Sequence, residues 1–491
     1  MSQPFDPLTA PGEPAGRLDI PLVVDLDGTL MANDMLWETA SRFLSQHPGR
    51  AHWLVRWAAQ GKAHLKKELW AAAPVRVERL KYHAELVDWL REERARGRTL
   101  VLASASHGDA ARAVADHLDL FDVVLGSDGR RNLRSDVKAQ ALLDLFDGGP
   151  FEYVGNSRHD LDVWRHATTA HLVSARRSLA ARAASSSTVG RTFPTPPGLV
   201  RNWVRALRPH QWVKNLLVFL PLLASHRVGE PAALASTVMA FVAFCMAASS
   251  VYLLNDIADV EHDRIHPTKR ARPFAAGTIG LGSGWIVWPL LALAGLALGL
   301  AVSVPFCLVL LVYLLVTAAY SFALKRQPVV DVLTLAGLYT IRIVAGGAAV
   351  GVELSVWLLG FSGFFFLSLA LVKRVSELYK TRESQLAPNG RGYESQDLEL
   401  LSSYGVATSV ASVLVFTLFV DDPGTAQLYR HPQLLWFAVP VLLWWLMRVW
   451  LLAHRGQMDE DPILFAIKDR RSVICAGSIV AIFLVATLYP G

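Results

Sequence analysis

From about residue 213 to the C-terminus, apolar runs long enough to cross about 30 Å of hydrocarbon follow one another. In lipid a backbone must satisfy its own polar groups, so this half is expected to be an all-α polytopic membrane domain. Nine helices are predicted, at roughly 213–228, 233–254, 284–302, 305–323, 329–350, 354–372, 399–420, 434–453 and 472–489. Residues before about 200 have a mixed, soluble composition, and 491 residues exceed what one core organises.

Charge orients the membrane half. The loops after the second, fourth, sixth and eighth predicted helices carry fifteen Lys and Arg, whereas the alternate loops carry Arg227 and Arg430. The positive-inside rule then puts the basic loops and the N-terminal domain in the cytoplasm, and an odd helix count puts the C-terminus on the opposite side. The N-terminal tail, residues 1–19, has no signal-peptide pattern. The expected location is the bacterial cytoplasmic membrane. The net charge of +6 is of the size such loops produce, and no basic patch interleaved with aromatics points to nucleic acid. Cys245, Cys307 and Cys475 lie in apolar runs without pairing or ligand spacing and are read as core residues. Arg176, Arg177, Arg182, Arg191, Arg201, Arg205 and Arg208 occur without an acid in a Ser/Ala/Pro-rich stretch. Residues 176–204 are accordingly expected to be a flexible linker held to anionic lipid, with the membrane domain at 205–491.

Between the second and third predicted helices runs Asn255-Asp256-Ile-Ala-Asp259-Val-Glu-His-Asp263-Arg264. Asp256, Asp259 and Asp263, at i, i+3 and i+7, fall on one helical face, where three carboxylates repel unless a cation joins them. Hard oxygen donors select Mg2+, which commonly bridges carboxylates to substrate phosphates. Acids are rare at membrane depth, which favours a site over a solvated helix end. The next segment, His266-Pro267-Thr-Lys269-Arg270-Ala-Arg272-Pro273, supplies bases that suit the phosphate oxygens a metal leaves free.

These residues, with Tyr320-Ser321 and Leu324-Lys325 at the end of the fourth helix, resemble the UbiA superfamily of intramembrane prenyltransferases over about residues 205–489. The resemblance implies that Asp256, Asp259 and Asp263 bind a magnesium-diphosphate, with Asn255 beside them. Family members usually carry a second, DxxxD-like motif near the end of helix six. Here the segment reads Leu371-Val372-Lys373-Arg374-Val375-Ser376-Glu377-Leu378, which favours an additional anionic group over a second metal.

Within the superfamily the chain looks like the decaprenyl-phosphate phosphoribosyltransferases. The matching stretches are Arg208-Pro209-His210-Gln211-Trp212-Val213-Lys214-Asn215, the aspartate-rich run continuing through Gly277, Asp331 with Arg342 and Ala345-Gly346-Gly347-Ala348, Lys373-Arg374 with Glu377-Leu378, and Arg391-Gly392-Tyr393. The implied reaction transfers 5-phosphoribosyl from phosphoribosyl pyrophosphate to a polyprenyl phosphate. Lys214, Asn215, Lys269, Arg270, Arg272, Tyr320, Lys325, Arg342, Lys373, Arg374 and Glu377 are the candidate substrate-binding residues. Arg342, inside a helix, should face a cavity, and Gly346 and Gly347 are read as helix-packing positions. The alternative is an ordinary prenyltransferase joining an isoprenyl diphosphate to an aromatic acceptor, beside an inactive or regulatory N-terminal domain. A carrier without chemistry fits poorly, since no charged relay crosses the helices. A homo-oligomer is compatible with the pattern.

In the N-terminal half, Pro-Leu-Val-Val runs into Asp25-Leu-Asp27-Gly28-Thr29, two aspartates two apart at a strand end. That arrangement suits phosphoryl transfer, Asp25 attacking phosphorus and Asp27 moving protons. Ser104 ends a second strand, Lys138 follows, and Gly155-Asn156-Ser157-Arg-His-Asp160 ends a third. The set resembles the haloacid dehalogenase superfamily of phosphatases. It implies a doubly wound α/β domain at 20–175 with a helical cap at about 31–95, whose Trp residues are read as core, and one Mg2+ held by Asp25, Asp27, Asn156 and Asp160. The family usually has Asp where this chain has Asn156, so charge at the metal is reduced. In a fused scheme the membrane half makes polyprenyl-phosphoryl-5-phosphoribose and the soluble half removes its 5-phosphate.

Overall fold

The computed structural model describes residues 19–128, 132–194, 198–384, 392–458 and 461–488. Most of the N-terminal tail and Arg391 lie outside these residues. The chain divides into two units, Met1–Leu207 with Leu253–Val287, and Arg208–Tyr252 with Trp288–Gly491. The aspartate-rich segment therefore groups with the N-terminal domain, a division that the boundary expected near 205 does not describe.

The first unit is built on a six-stranded parallel sheet: β1 Leu22–Val24, β2 Leu100–His107, β3 Val123–Ser127, β4 Glu152–Gly155, β5 Thr169–Val173 and β6 Thr188–Phe193. The order is β3-β2-β1-β4-β5-β6. β1 is apolar at every position because both faces are covered, and its Leu22 pairs with Leu100 on one side and Glu152 on the other. The strand order reverses between β1 and β4, which opens a crevice at their carboxyl ends.

Residues 176–204, expected to be a flexible linker, instead hold helix Arg177–Ala184, strand β6, and the start of helix Leu199–Leu207. β6 closes the sheet edge by pairing with β5 from Thr169↔Thr188 to Val173↔Phe193. Edge pairing supplies the backbone partners that a Ser/Ala/Arg-rich composition conceals.

The helical cap consists of Met35–Gln46, His52–Ala59 and Lys62–Ala72, with Leu36, Phe43, Trp57 and Leu69 as its core. Helix Ala84–Ala95, placed in the cap by sequence, packs Leu86, Val87, Trp89 and Leu90 against Leu22 and Leu100 of the sheet. Trp57 and Trp89 are buried core as expected, whereas Trp53 is 38 % exposed and Trp37 lines a cleft.

Among the described residues, eight helices, not nine, are long and apolar enough to cross a membrane: Pro231–Ala258, Leu281–Val302, Val304–Phe322, Val330–Val350, Val356–Lys380, Ser395–Asp421, Pro432–His454 and Arg470–Leu488. The expected first span is a 3₁₀ segment, Pro209–Phe219, and one short α-helix, Leu220–Ala224. Pro221 removes a backbone donor there, and buried Lys214 and Asn215 draw the segment into protein. The odd count that set the C-terminus across from the N-terminal domain thus loses its basis. Ile286, Leu290, Leu293 and Leu300 of Leu281–Val302 are 57–63 % exposed, an apolar face suited to lipid. A Cβ on Gly346 would meet the Val218 carbonyl oxygen at 2.2 Å, so that position requires glycine, and one on Gly347 would meet the Leu354 side chain at 2.9 Å, so that position too packs closely.

Candidate active sites

Asp25 and Asp27 follow β1 into the crevice beside β4. The turn after them uses Gly28 at φ 75°, and a Cβ there would lie 2.2 Å from the Asn156 side-chain nitrogen. Lys138 Nζ donates to Asp25 Oδ1 at 2.6 Å and to Tyr153 Oη at 2.9 Å, while Thr29 Oγ1 donates to Asp25 Oδ2 at 3.1 Å. Burial raises the Asp25 carboxyl to about 7, with Lys138 opposing the rise and Asp160 and Asp27 adding to it. Asp27 accepts the Met35 N–H at 2.8 Å and the hydroxyls of Ser104 at 3.2 Å and Ser106 at 2.7 Å.

Ser104, expected to orient the phosphate, is fully buried and points its hydroxyl at Asp27. Asp160 receives Tyr153 Oη at 2.9 Å on one oxygen, and the N–H of Asn156 and both donors of Ser157 on the other. Its carboxylate shapes the loop that carries Asn156. The cleft has a volume of about 370 Å³, and its walls include Lys62, Lys66, Arg134, His159 and Gly280–Ser283. For magnesium the donor chemistry fits: two carboxylates and an amide lie in a cradle that only glycine at position 28 leaves open.

Asp34, at the cleft edge, caps helix Met35–Gln46 by accepting the Leu36 N–H at 2.8 Å. Burial, reinforced by Asp27, raises its carboxyl to about 6. A raised acid pKa means the folded state holds the proton longer than the unfolded chain does, so this group's ionisation lowers stability as pH rises from about 4 through about 6. Asp34→Asn keeps the cap without the charge. It is expected to stabilise the domain by on the order of 1–2 kcal/mol at pH 8 and by nothing measurable near pH 4. Thermal unfolding with EDTA present at the two pH values checks this.

Helix Pro231–Ala258 ends beyond Asp256, and Asp259 starts a separate short helix, Val260–Ile265, that holds Asp263. The interruption is confined to Asp259, whose N–H still bonds to the Asn255 carbonyl as that of Asp263 does to Asp259, so Asp256 and Asp263 keep to one side of the segment. Arg272 Nη1 donates to Asp256 Oδ1 at 3.1 Å and to Asp263 Oδ2 at 2.7 Å, so one guanidinium nitrogen joins two buried carboxylates. Asp259 is partly exposed and Asn255 half-buried, while Lys269 and Arg270 are exposed on the following turn. No group of three metal-ligating side chains is assembled among the described residues. The hard donors of Asp256 and Asp263 nonetheless suit magnesium, since both already converge on one positive charge.

This segment is fixed to the phosphatase-like domain's cap by charges that sequence reading did not connect. Arg264 donates to Glu38 at 3.0 and 2.5 Å and to the Arg79 carbonyl at 3.2 Å. Glu261 accepts from Arg42, and from Arg79 at 3.4 Å. Asn33 accepts the Leu281 N–H at 3.0 Å and donates to Glu38 at 2.9 Å, and the Trp285 indole donates to Ser41 at 3.1 Å. Breaking a buried pair strands one charge, so Glu38→Ala is expected to cost about 3–5 kcal/mol, with Glu38→Ala/Arg264→Ala costing less than the sum of the single changes. Unfolding of the purified variants in detergent measures both.

The second unit places its polar residues on other helices. Arg374, 1 % exposed, pairs with Asp331 and Glu377 and donates to Tyr320 Oη at 3.1 Å, and Tyr320 in turn donates to Asp331 at 2.7 Å. Before Asp331, Val329 sits at φ 67°, a costly conformation for a β-branched residue, and its N–H donates to Tyr393 Oη at 2.9 Å. Arg342 donates to Asn215 Oδ1 at 2.9 Å and lies 5.2–5.6 Å from the rings of Phe244, Tyr313 and Tyr339. Expected to face a cavity, it is instead enclosed by aromatic side chains. Asn215 also donates to Cys245 Sγ at 3.3 Å, and Lys214 pairs with Asp461. Lys373 and Lys325 are both partly exposed. Asp461 escaped the sequence reading; its one signal was a following proline, which marks a helix start and which the Ile463 and Leu464 amides confirm by capping onto it.

Residues 216–470 match the UbiA prenyltransferase family and residues 22–165 match haloacid dehalogenase-like hydrolases. The chain belongs to the UbiA prenyltransferase family. Its N-terminal half is a haloacid dehalogenase-like domain, and the protein y4nM of Sinorhizobium fredii is 36 % identical over 95 % of this chain and 91 % of its own length. Decaprenyl-phosphate phosphoribosyltransferase of Mycobacterium tuberculosis is 39 % identical over 56 % of this chain and 90 % of its own length. A UbiA homolog from Archaeoglobus fulgidus, solved with GPP and Mg2+, covers 58 % of this chain and 99 % of its own at 18 % identity, with a TM-score of 0.46.

Proposed function

We propose that this UbiA-family protein transfers a 5-phosphoribosyl group from phosphoribosyl pyrophosphate to a polyprenyl phosphate of the decaprenyl type, and that its haloacid dehalogenase-like domain removes the 5-phosphate from the product. The observation that carries the first step is the 39 % identity that runs through 90 % of a decaprenyl-phosphate phosphoribosyltransferase. Lys373, partly exposed, stands where the usual second acidic motif would be, which supports a substrate pair richer in phosphate than a prenyl diphosphate and an aromatic ring.

In this reading Asp256, Asp259 and Asp263 hold magnesium, which supplies charge stabilisation to the departing pyrophosphate as the anomeric C–O bond breaks. Asn255 supports those acids. Exposed Lys269 and Arg270, and in the other unit Lys214, Lys325 and Lys373, are cations for phosphate oxygens. Arg272 balances the acids and is the group a metal would displace. Asn215, Tyr320, Arg342, Arg374 and Glu377 act in this reading by fixing helices and neighbours. The lipid phosphate is already ionised and needs no base. In this reading the haloacid dehalogenase-like domain faces the bacterial cytoplasm, on the side of the basic loops.

In the soluble domain Asp25 attacks the 5-phosphate, and the sugar hydroxyl leaves with a proton from Asp27. Water then releases inorganic phosphate from the aspartyl-phosphate. Lys138 neutralises the transferring group, and Asn156, Asp25 and Asp27 hold the magnesium, with Asp160 positioning their loop.

The test is label transfer. Purified protein in detergent, given Mg2+, decaprenyl phosphate and labelled phosphoribosyl pyrophosphate, should move label into lipid. No transfer, together with turnover of an isoprenyl diphosphate and an aromatic acceptor, would place the protein with the ordinary prenyltransferases.

A further inference from the structure

Four cations, Lys62, Lys66, Arg134 and Lys138, line the cleft around Asp25 together with the carboxylates of Asp25, Asp27, Asp34 and Asp160, and only one of the four cations is needed at the phosphate that is removed. Lys138, 2.6 Å from Asp25, already serves the transferring phosphoryl group. Lys66 comes from the cap helix Lys62–Ala72 and is only 8 % exposed. Among the described residues its ammonium makes one hydrogen bond, to the Ala105 carbonyl at 2.6 Å, which leaves two donors at the cleft wall. Lys62, one helical turn earlier, and Arg134, on the facing loop, are exposed at the same cleft, and neither has a carboxylate partner within ion-pair distance among the described residues. Burial of the Lys66 ammonium outweighs the pull of Asp27 and Asp34, and its place at the cleft wall beside two further cations suits a ligand anion.

We infer that this cleft takes a phosphomonoester that also carries a second phosphate group, with Lys62, Lys66 and Arg134 binding the phosphate that is not hydrolysed. The inference rests on the phosphatase reading of Asp25 and names the substrate class of that same site. The ring between the two phosphates would lie against Trp37, whose indole is held from behind by Gly282: a Cβ at that position would be 2.5 Å from Trp37 Nε1. One wall of the cleft thus comes from the segment that follows the aspartate-rich motif. A phosphoribosyl lipid has the required form, since its 5-phosphate is a monoester and its anomeric oxygen carries a phosphodiester.

Ribose 1,5-bisphosphate and ribose 5-phosphate serve as the probe pair, with the full-length protein in detergent and Mg2+ present. Calorimetric binding to Asp25→Asn should favour the bisphosphate by about tenfold, and Lys62→Ala/Arg134→Ala added to that background should bring the ratio towards one. In the unmodified protein kcat/KM for phosphate release should show the same preference. Equal binding of the two sugars would overturn the second-phosphate subsite whatever the turnover. Preferential binding without any release of phosphate by the unmodified protein would overturn the phosphatase reading on which the proposal rests.

Discussion

Asp256→Asn is expected to lower phosphoribosyl transfer by at least about a hundredfold while leaving thermal unfolding nearly unchanged. Asp256 is 2 % exposed and shares Arg272 with Asp263, so its carboxylate is one of two that converge on a single positive charge. An amide of the same shape still accepts from the guanidinium but brings no charge to a metal. Asp263→Asn should behave alike, and both variants should require more Mg2+ for whatever rate remains. Burial raises the Asp263 carboxyl to about 6 against the pull of Arg272. Protons should therefore compete with the metal as pH falls through that value, and the Mg2+ requirement of the unmodified protein should climb below it. The measurement is label entering lipid as a function of Mg2+ at pH 5.5 and pH 7.5, conditions set on either side of about 6. An Asp256→Asn protein with the normal rate and Mg2+ dependence would remove the aspartate-rich segment from the chemistry.

Asp25→Asn should separate the two activities. Transfer to lipid is expected to continue, while phosphate release from the product falls by at least about a thousandfold, because the amide cannot attack phosphorus. The lipid that accumulates should retain its 5-phosphate, visible by mass spectrometry of the extracted products. Loss of the negative charge removes the Lys138 ion pair but leaves the Thr29 and Lys138 donors an amide oxygen to bind, so the domain should remain folded. Dephosphorylated lipid formed at the normal rate would end the fused scheme. Asn156→Asp is the converse change: it restores the charge the family usually has at the metal, and it should lower the Mg2+ concentration needed for phosphate release.

Much of this was legible because local patterns carry it. Apolar run length announced the membrane helices, and a strand ending in Asp25-Leu-Asp27-Gly28-Thr29 announced the turn that Gly28 makes at φ 75°. The reading failed where pairing partners are distant. Arg176 to Arg208 looked like a linker because β6 is recognisable only by the β5 strand it pairs with. The segment at 213–228 was apolar enough to span, but Pro221 and the buried polar side chains of Lys214 and Asn215 gave it another shape. Arg374 was read as a phosphate ligand, since nothing local shows that Asp331 and Tyr320, on other helices, enclose it.

The sequence alone determined the two domain families this chain joins, because each is announced by side chains a few residues apart whose spacing is set at one strand end or one helix end. Tertiary structure alone decided that Glu38 holds Arg264, that Arg42 and Arg79 hold Glu261, and that Gly280–Ser283 wall the cleft of Asp25. Those contacts join positions more than 180 residues apart in the chain, as Arg79 and Glu261 are. A charge on a helix face has the same appearance in sequence whether water or a buried partner neutralises it, and only the fold sets which of the two it meets.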